Sequence, residues 1–283
     1  PDDPPVTRAA FADMSVPLFG DLRSVISRIG DRRFVVNGPS VCTMRRVPEF
    51  QRARSAEQRE VRREAILDAA AEMLNEMPVS KVTMNGLSRR VGLAKSNVMR
   101  YFESREAVLL DLLTGLSHEW LGEAAAQVER EVPHDANMPA RVRALASALA
   151  HSFAQHEVLC DLISAETSVL EHNVSEEVAL RYKRAALQET NGFAALIADV
   201  LPELDGESAL DAAFTITVLV GALWTHTHPS PAMAAVYRNE PTLAIAQGFA
   251  QSLEHVLATY LAGLLAWGKP RTGECSGTSG GDA

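Results

Sequence analysis

T-M-N-G-L-S-R-R-V-G-L-A-K-S-N-V-M-R-Y-F-E-S-R, residues 83–105, sets two short helical patterns against each other across a single glycine, Gly92. Thr83 is a good N-cap for the first pattern, whose inward positions are Leu87 and Val91. Gly92 supplies the positive φ that ends this helix and reverses the chain. The spacing predicts a second helix over 94–102, with Val98 and Phe102 facing inward. Its outer side carries Lys95, Ser96, Asn97, Arg100 and Tyr101. A helix this short buries little surface of its own. Cations, small hydrogen-bonding groups and one phenol on its free side suit a phosphate-lined groove. The pattern is that of a helix-turn-helix, whose second helix enters the DNA major groove.

Working outward, Val61, Ala65, Ile66, Ala69, Ala70, Met73 and Leu74 recur at three- and four-residue spacing and predict a helix over 56–77, with Pro78 behind it. On the other side Ser104 caps a long helix, with Glu106 near its positive end. Val108, Leu109, Leu112, Leu113, Leu116 and Trp120 form the apolar stripe, and Pro133 stops it beyond Glu131. Helices are further predicted over 138–155, 157–170, 175–201, 207–227 and 241–267. No segment alternates with the period of two that a strand requires. The fold class is all-α: a three-helix head over 51–104 and a helical body over 105–268. Residues 1–50 lack periodicity and read as a mostly disordered extension, and 269–283 as a disordered tail. Met44, followed by R-R-V-P-E-F-Q-R-A-R, marks an expected natural start, with the arm from Arg45 to Arg63 mostly a solvated helix face.

The net charge of -9 is unevenly placed. Between Arg45 and Arg105 there are 13 Lys and Arg against 8 Asp and Glu, whereas from Glu106 onward there are 9 against 23. A basic module on an acidic body is the footprint of a DNA-binding head on a body that avoids phosphates. Apolar residues make up 47% of the chain, enough for a core, and polar interruptions keep the apolar helices from reading as membrane spans. No signal-peptide pattern is present at the start. Cys42, Cys160 and Cys275 are odd in number and far apart, which points to a reducing compartment and away from a disulfide framework or zinc site. The expected location is the cytoplasm.

Residues 83–106 resemble the tetracycline-repressor (TetR) family of bacterial regulators, whose pattern runs T-x-x-x-I-A-x-x-x-G-V-S-x-x-T-L-Y-x-Y-F-x-x-K-E. Thr83, Leu87, Gly92, Leu93, Ala94, Val98, Tyr101, Phe102, Arg105 and Glu106 fall in register. The motif covers about 50 residues, from Arg62 to Leu112; beyond it the match is one of helical content and length. Asn97 stands where the family has Thr, and Met99, which cannot donate to a phosphate, replaces its first Tyr. Chemistry assigns Lys95 and Arg100 to guanine O6/N7 or phosphate, and Asn97 to adenine. Ser96, Thr83, Tyr101 and Arg105 are assigned to phosphate oxygens, which set register without reading sequence. Arg89 and Arg90 divide evenly between contact and solvated surface.

The resemblance implies that the body dimerises and holds an effector pocket. Small and apolar residues support a homodimer through the last two helices: Ala212, Ala213, Thr217, Val220 and Gly221 on one, Ala246, Phe249, Leu253, Val256, Leu257, Tyr260, Leu261 and Leu264 on the other. Pocket candidates for a small apolar effector are Trp120, Phe153, Cys160, Phe193, Trp224 and His226, each of which also fits a plain core position. No metal set is assigned; His151, His156 and Cys160 share a face only if one helix runs through all three. No catalytic pairing and no cofactor motif stands out. The expected function is a homodimeric, sequence-specific DNA-binding regulator, a repressor released from a palindromic operator by a small molecule. The alternative is an effector-free regulator controlled by a protein partner on the acidic body. An enzyme would need an acid/base pair that the body does not offer.

Overall fold

The computed structural model describes residues 48–133, 135–244 and 248–267, with side chains from residue 58 onward. The expectations for the N-terminal extension, a start at Met44, and the tail lie outside these residues, as does Ala246. Ten α-helices and no strand are found among the described residues. Helix α1, Pro48–Glu76, starts earlier than its apolar pattern because Pro48 takes the first position, where a missing N–H costs nothing. A 3₁₀ turn, Val79–Lys81, which the sequence pattern did not show, leads into α2, Met84–Val91. Helix α3 is Lys95–Val98, shorter than the predicted 94–102. Beyond it the turn tightens, with Arg100 N–H bonding to Asn97 and Tyr101 N–H to Val98 at three-residue spacing.

Helix α4, Arg105–Glu131, is capped as predicted, Ser104 Oγ accepting from Ala107 N–H at 3.1 Å. Then follow α5 (Met138–Gln155), α6 (Glu157–Ala165), α7 (Glu176–Val200) and α8 (Gly206–Thr227). The predicted helix over 157–170 ends early, and a 3₁₀ turn at Leu170–Asn173 replaces its last turn. Asn137, Ser175 and Asp205 cap α5, α7 and α8 through side-chain oxygens.

The largest departure lies near the end. The span 241–267 is not one helix: a 3₁₀ turn at Pro241–Leu243 and Gly248, with φ 154°, precede α10, Phe249–Trp267. Before it stands an unforeseen helix, α9, Pro231–Asn239, capped by Ser230 with proline at its first position. The described helices belong to one compact unit beginning at Glu49. Helix α8 packs on α6, α7 and α10, and α10 packs on α5. By length and composition α8 could cross a membrane, yet Ala209, Ala212, Ala213, Ile216 and Val220 are buried against its neighbours.

Candidate nucleic-acid interface and ligand cavity

The head is held by local chemistry first. Thr83 Oγ1 accepts from Gly86 N–H at 3.0 Å, and Gly92 takes φ 73°, its N–H closing the end of α2 on Arg89. Leu87, Val98 and Phe102 enter the core with Ile66, Ala70 and Met73 of α1. Arg59 and Arg63 of α1 lie over the rings of Tyr101 and Phe102, 6.0 and 5.0 Å from the centroids. These contacts fix α3 with Lys95, Ser96, Asn97 and Arg100 exposed on its outer side. Met99 is also exposed, at 49%. Thr83 is exposed beside them, while Tyr101 is half-buried beneath Arg59.

Two arginines have internal tasks instead. Arg105 donates from Nη1 to the carbonyl of Val82 at 2.8 Å and to that of Val79 at 3.4 Å, and from Nε to Glu106 at 2.8 Å. Its expected phosphate contact is therefore corrected: the guanidinium ties the 3₁₀ turn to the start of α4. Arg90 forms a two-pronged pair with Glu76, at 2.5 and 2.9 Å, and this hydrogen bond holds the Glu76 carboxyl below its ordinary range. Arg89 remains exposed.

Head and body are joined at named points. Asp111 of α4 pairs with Arg63 of α1 and with Arg181 of α7, the latter at 3.4 Å. Val79 N–H donates to Asp161 of α6 at 2.9 Å, and Ser175 N–H to Glu103 at 2.6 Å. Helix α4 itself serves both parts. Ala107, Val108 and Leu110 at its start are buried, and Leu113, Thr114, Ser117, Trp120 and Leu121 further along line a cavity.

That cavity has a volume of about 760 Å³ and lies among α4, α6, α7 and α8. Trp120 stacks on Phe153 with centroids 4.1 Å apart, and Phe193 meets Trp120 edge-on at 5.1 Å. Ser152 accepts from the buried Trp120 Nε1–H at 3.0 Å, fixing the indole. Trp120, Phe153 and Phe193 thus line the cavity as expected from sequence; the other three candidates do not. Cys160 is buried, its thiol donating to the Phe153 carbonyl at 3.3 Å, and burial pushes that thiol well above the ordinary range. Trp224 stacks on His228 at 3.6 Å and meets Phe249 of α10, on the far side of α8. His226 is exposed outside the cavity.

Polar lining residues missed in the sequence are Glu166, Tyr182, Lys183, Glu189 and Asp211. Burial raises the Glu166 carboxyl above its usual value, against the opposing hydrogen bond from Tyr182. Desolvation raises the Tyr182 phenol as well. Lys183 lies 3.5 Å from Glu166 and pairs with Glu171. Their helix phases alone gave no sign of this gathering, because the residues come from α7, α8 and the end of α6.

His151, His156 and Cys160 do not converge, because the chain turns at His156 between α5 and α6. His156 reaches Glu123 at 3.0 Å, and His151 the Ser147 carbonyl at 2.8 Å. Among the described residues no three His, Cys, Asp or Glu side chains are grouped to hold a metal ion. The small residues offered for dimerisation are also accounted for. Ala212, Ala213, Val220 and Gly221 are buried within the protomer, as are Phe249, Leu253, Leu257 and Leu261. Half-buried Leu219 and Leu223 of α8, and Val256, Tyr260 and Leu264 of α10, keep partly open apolar surface.

Comparison with known proteins agrees with this layout. Residues 66–112 match the family described as bacterial regulatory proteins, tetR family, and residues 115–267 match the tetracyclin repressor-like C-terminal domain. The nucleoid occlusion factor SlmA of Marinomonas sp. (strain MWYL1) is 26% identical over 106 residues, 37% of this chain and 51% of that one. The chain thus spans about half the length of this curated relative. Among solved structures, Thermus thermophilus FadR in complex with lauroyl-CoA has a TM-score of 0.44 at 19% identity, over 76% of this chain and 99% of that one. The repressor AlkX from Dietzia sp. strain DQ12-45-1b gives 0.43 at 16% identity, covering 72% and 96%.

Proposed function

Because the chain belongs to the tetracycline-repressor family of DNA-binding regulators, we propose that it is a homodimeric repressor whose hold on a palindromic operator is released by a small molecule in the body cavity. The observation that carries the reading is α4. One continuous helix is buried in the head at its start and lines the cavity from Leu113 to Leu121. A ligand that wedges against Trp120 acts on the same rigid element that seats the helix-turn-helix. Release requires that the ligand bind the DNA-free arrangement more tightly than the DNA-bound one, because equal affinity shifts nothing.

On DNA, Lys95 and Arg100 bond guanine edges or phosphates, Asn97 reads adenine, and Ser96, Thr83 and Tyr101 set register on the backbone. The dimer forms through α8 and α10, using Leu219, Leu223, Val256, Tyr260 and Leu264 rather than the small residues that each protomer buries for itself. Two heads related by that axis then face two half-sites. The cavity favours a small ligand over control by a protein partner. A gel-shift assay on the promoter beside the protein's own gene, over a salt series, tests the DNA reading. Lys95→Ala and Arg100→Ala are each expected to lower the slope of log affinity against log salt by up to about 0.9, the full value applying to a phosphate contact. Undiminished binding by the Lys95→Ala/Asn97→Ala/Arg100→Ala variant rules the assigned face out. Sedimentation of Leu219→Glu/Tyr260→Glu as a monomer is the expected result for the interface.

A further inference from the structure

The reading of the cavity as a ligand site leaves the ligand's chemistry open, and on that reading we infer that its occupant is a lipophilic organic cation, held by the carboxylates of Glu166, Glu189 and Asp211 against aromatic walls. The lining carries these three acids and a single cationic side chain, Lys183. That ammonium is already engaged, 3.5 Å from Glu166 and paired with Glu171, whose Oε1 is buried without a well-directed hydrogen bond. Glu189 is also sheltered, its neighbour being the largely exposed His118 at 3.2 Å. An anionic ligand entering here meets an excess of carboxylate and no free cation in the wall. A neutral one leaves the partly desolvated Glu166 as it was.

A cation gains twice. The carboxylates supply charge compensation, and the faces of Trp120, Phe153 and Phe193 supply attraction to positive charge together with apolar contact. The acidic body, with 23 acidic against 9 basic residues from Glu106 onward, raises the local concentration of cations at the mouth. At about 760 Å³ the cavity suits a molecule of several rings or one ring with a chain. Phe214 of α8, 64% exposed and part of the lining, provides apolar surface at the entrance.

Tetraphenylphosphonium and tetraphenylborate share shape and size and differ in charge, so they isolate the inference. N-phenyl-1-naphthylamine, neutral and fluorescent in apolar surroundings, reports the cavity itself. Titrations of the full chain by calorimetry and fluorescence are expected to show tetraphenylphosphonium binding at least about tenfold tighter than tetraphenylborate. Glu166→Gln and, separately, the exposed Asp211→Asn are expected to weaken the cation at least about threefold while leaving the naphthylamine unchanged. The second variant guards against a fold disturbed by changing a buried group. Tetraphenylborate binding as tightly as its counterpart, or cation affinity unmoved in both variants, overturns the cation inference and leaves the cavity reading intact. Failure of all three probes, the neutral one included, overturns both.

Discussion

Replacing Arg105 by alanine separates a structural arginine from a DNA-contacting one. In the folded protein the guanidinium gives Val82 O a 2.8 Å bond, Val79 O a longer one of 3.4 Å, and Glu106 an ion pair at 2.8 Å. The arginine side chain is 22% exposed and that of Glu106 10%. Alanine leaves two carbonyls of the turn before α2 without this donor and a sheltered carboxylate without its cation. A hydrogen bond from a charged group contributes about 1.5–3 kcal/mol. The ion pair, partly solvated, adds at most about 1 kcal/mol, so an overall loss of about 2–3 kcal/mol is expected. For a protein of this size that lowers Tm by about 4–12 °C. Urea unfolding followed by circular dichroism should shift its midpoint with an unchanged slope. Arg105→Lys keeps the charge but not the planar fork, and is expected to recover less than half of the loss. At a temperature where the variant is folded, the salt slope of DNA binding should equal that of the wild type. Unchanged stability with a slope reduced by about 0.9 would refute the argument and return Arg105 to the phosphates.

Gly92→Ala is expected to destabilise the protein by about 1–2 kcal/mol through backbone strain alone, because a Cβ there meets no atom within 4 Å; Gly92→Asn should cost less in the same urea titration, and equal costs would show that strain is not the cause. Trp120→Phe removes the buried bond to Ser152 and is expected to cost about 1–3 kcal/mol, with loss of near-ultraviolet dichroism from the stacked indole; stability unchanged within error would count against an ordered aromatic wall. In a Cys42→Ser/Cys275→Ser background, Cys160 should resist a thiol reagent until the protein unfolds, since burial disfavours its thiolate. Rapid labelling of the native protein by Ellman's reagent would contradict its burial.

Local signals are legible in the order of residues alone. Thr83, Gly92 and Ser104 act on backbone groups within three residues of themselves, so their tasks follow from sequence order. The same holds for the long apolar stripe of α4 and for α5, whose predicted limits of 138 and 155 coincide with Met138–Gln155. Helix α9 has a local signal too: Ser230 and Pro231 are an N-cap and a first-turn proline. The apolar run over 241–267 obscures the break at Gly248, because periodicity is insensitive to one backbone angle.

The sequence by itself determined an all-helical chain with a helix-turn-helix head, its basic face on α3 and an acidic body behind it. It determined these because capping, glycine φ and charge partition are short-range or additive properties. Only the tertiary structure decided which arginines stay free. Arg105 finds its acceptor 23 residues away and Arg90 its carboxylate 14 away, distances at which spacing carries no geometric information. It also divided the pocket candidates. Trp120, Phe153 and Phe193 come together, whereas Cys160 and Trp224 turn elsewhere, because the rotation of each helix is set by the neighbours it packs on. The carboxylates of the cavity wall belong to the same class: solvated charges along separate helices in the sequence, and a shared electrostatic surface once those helices meet.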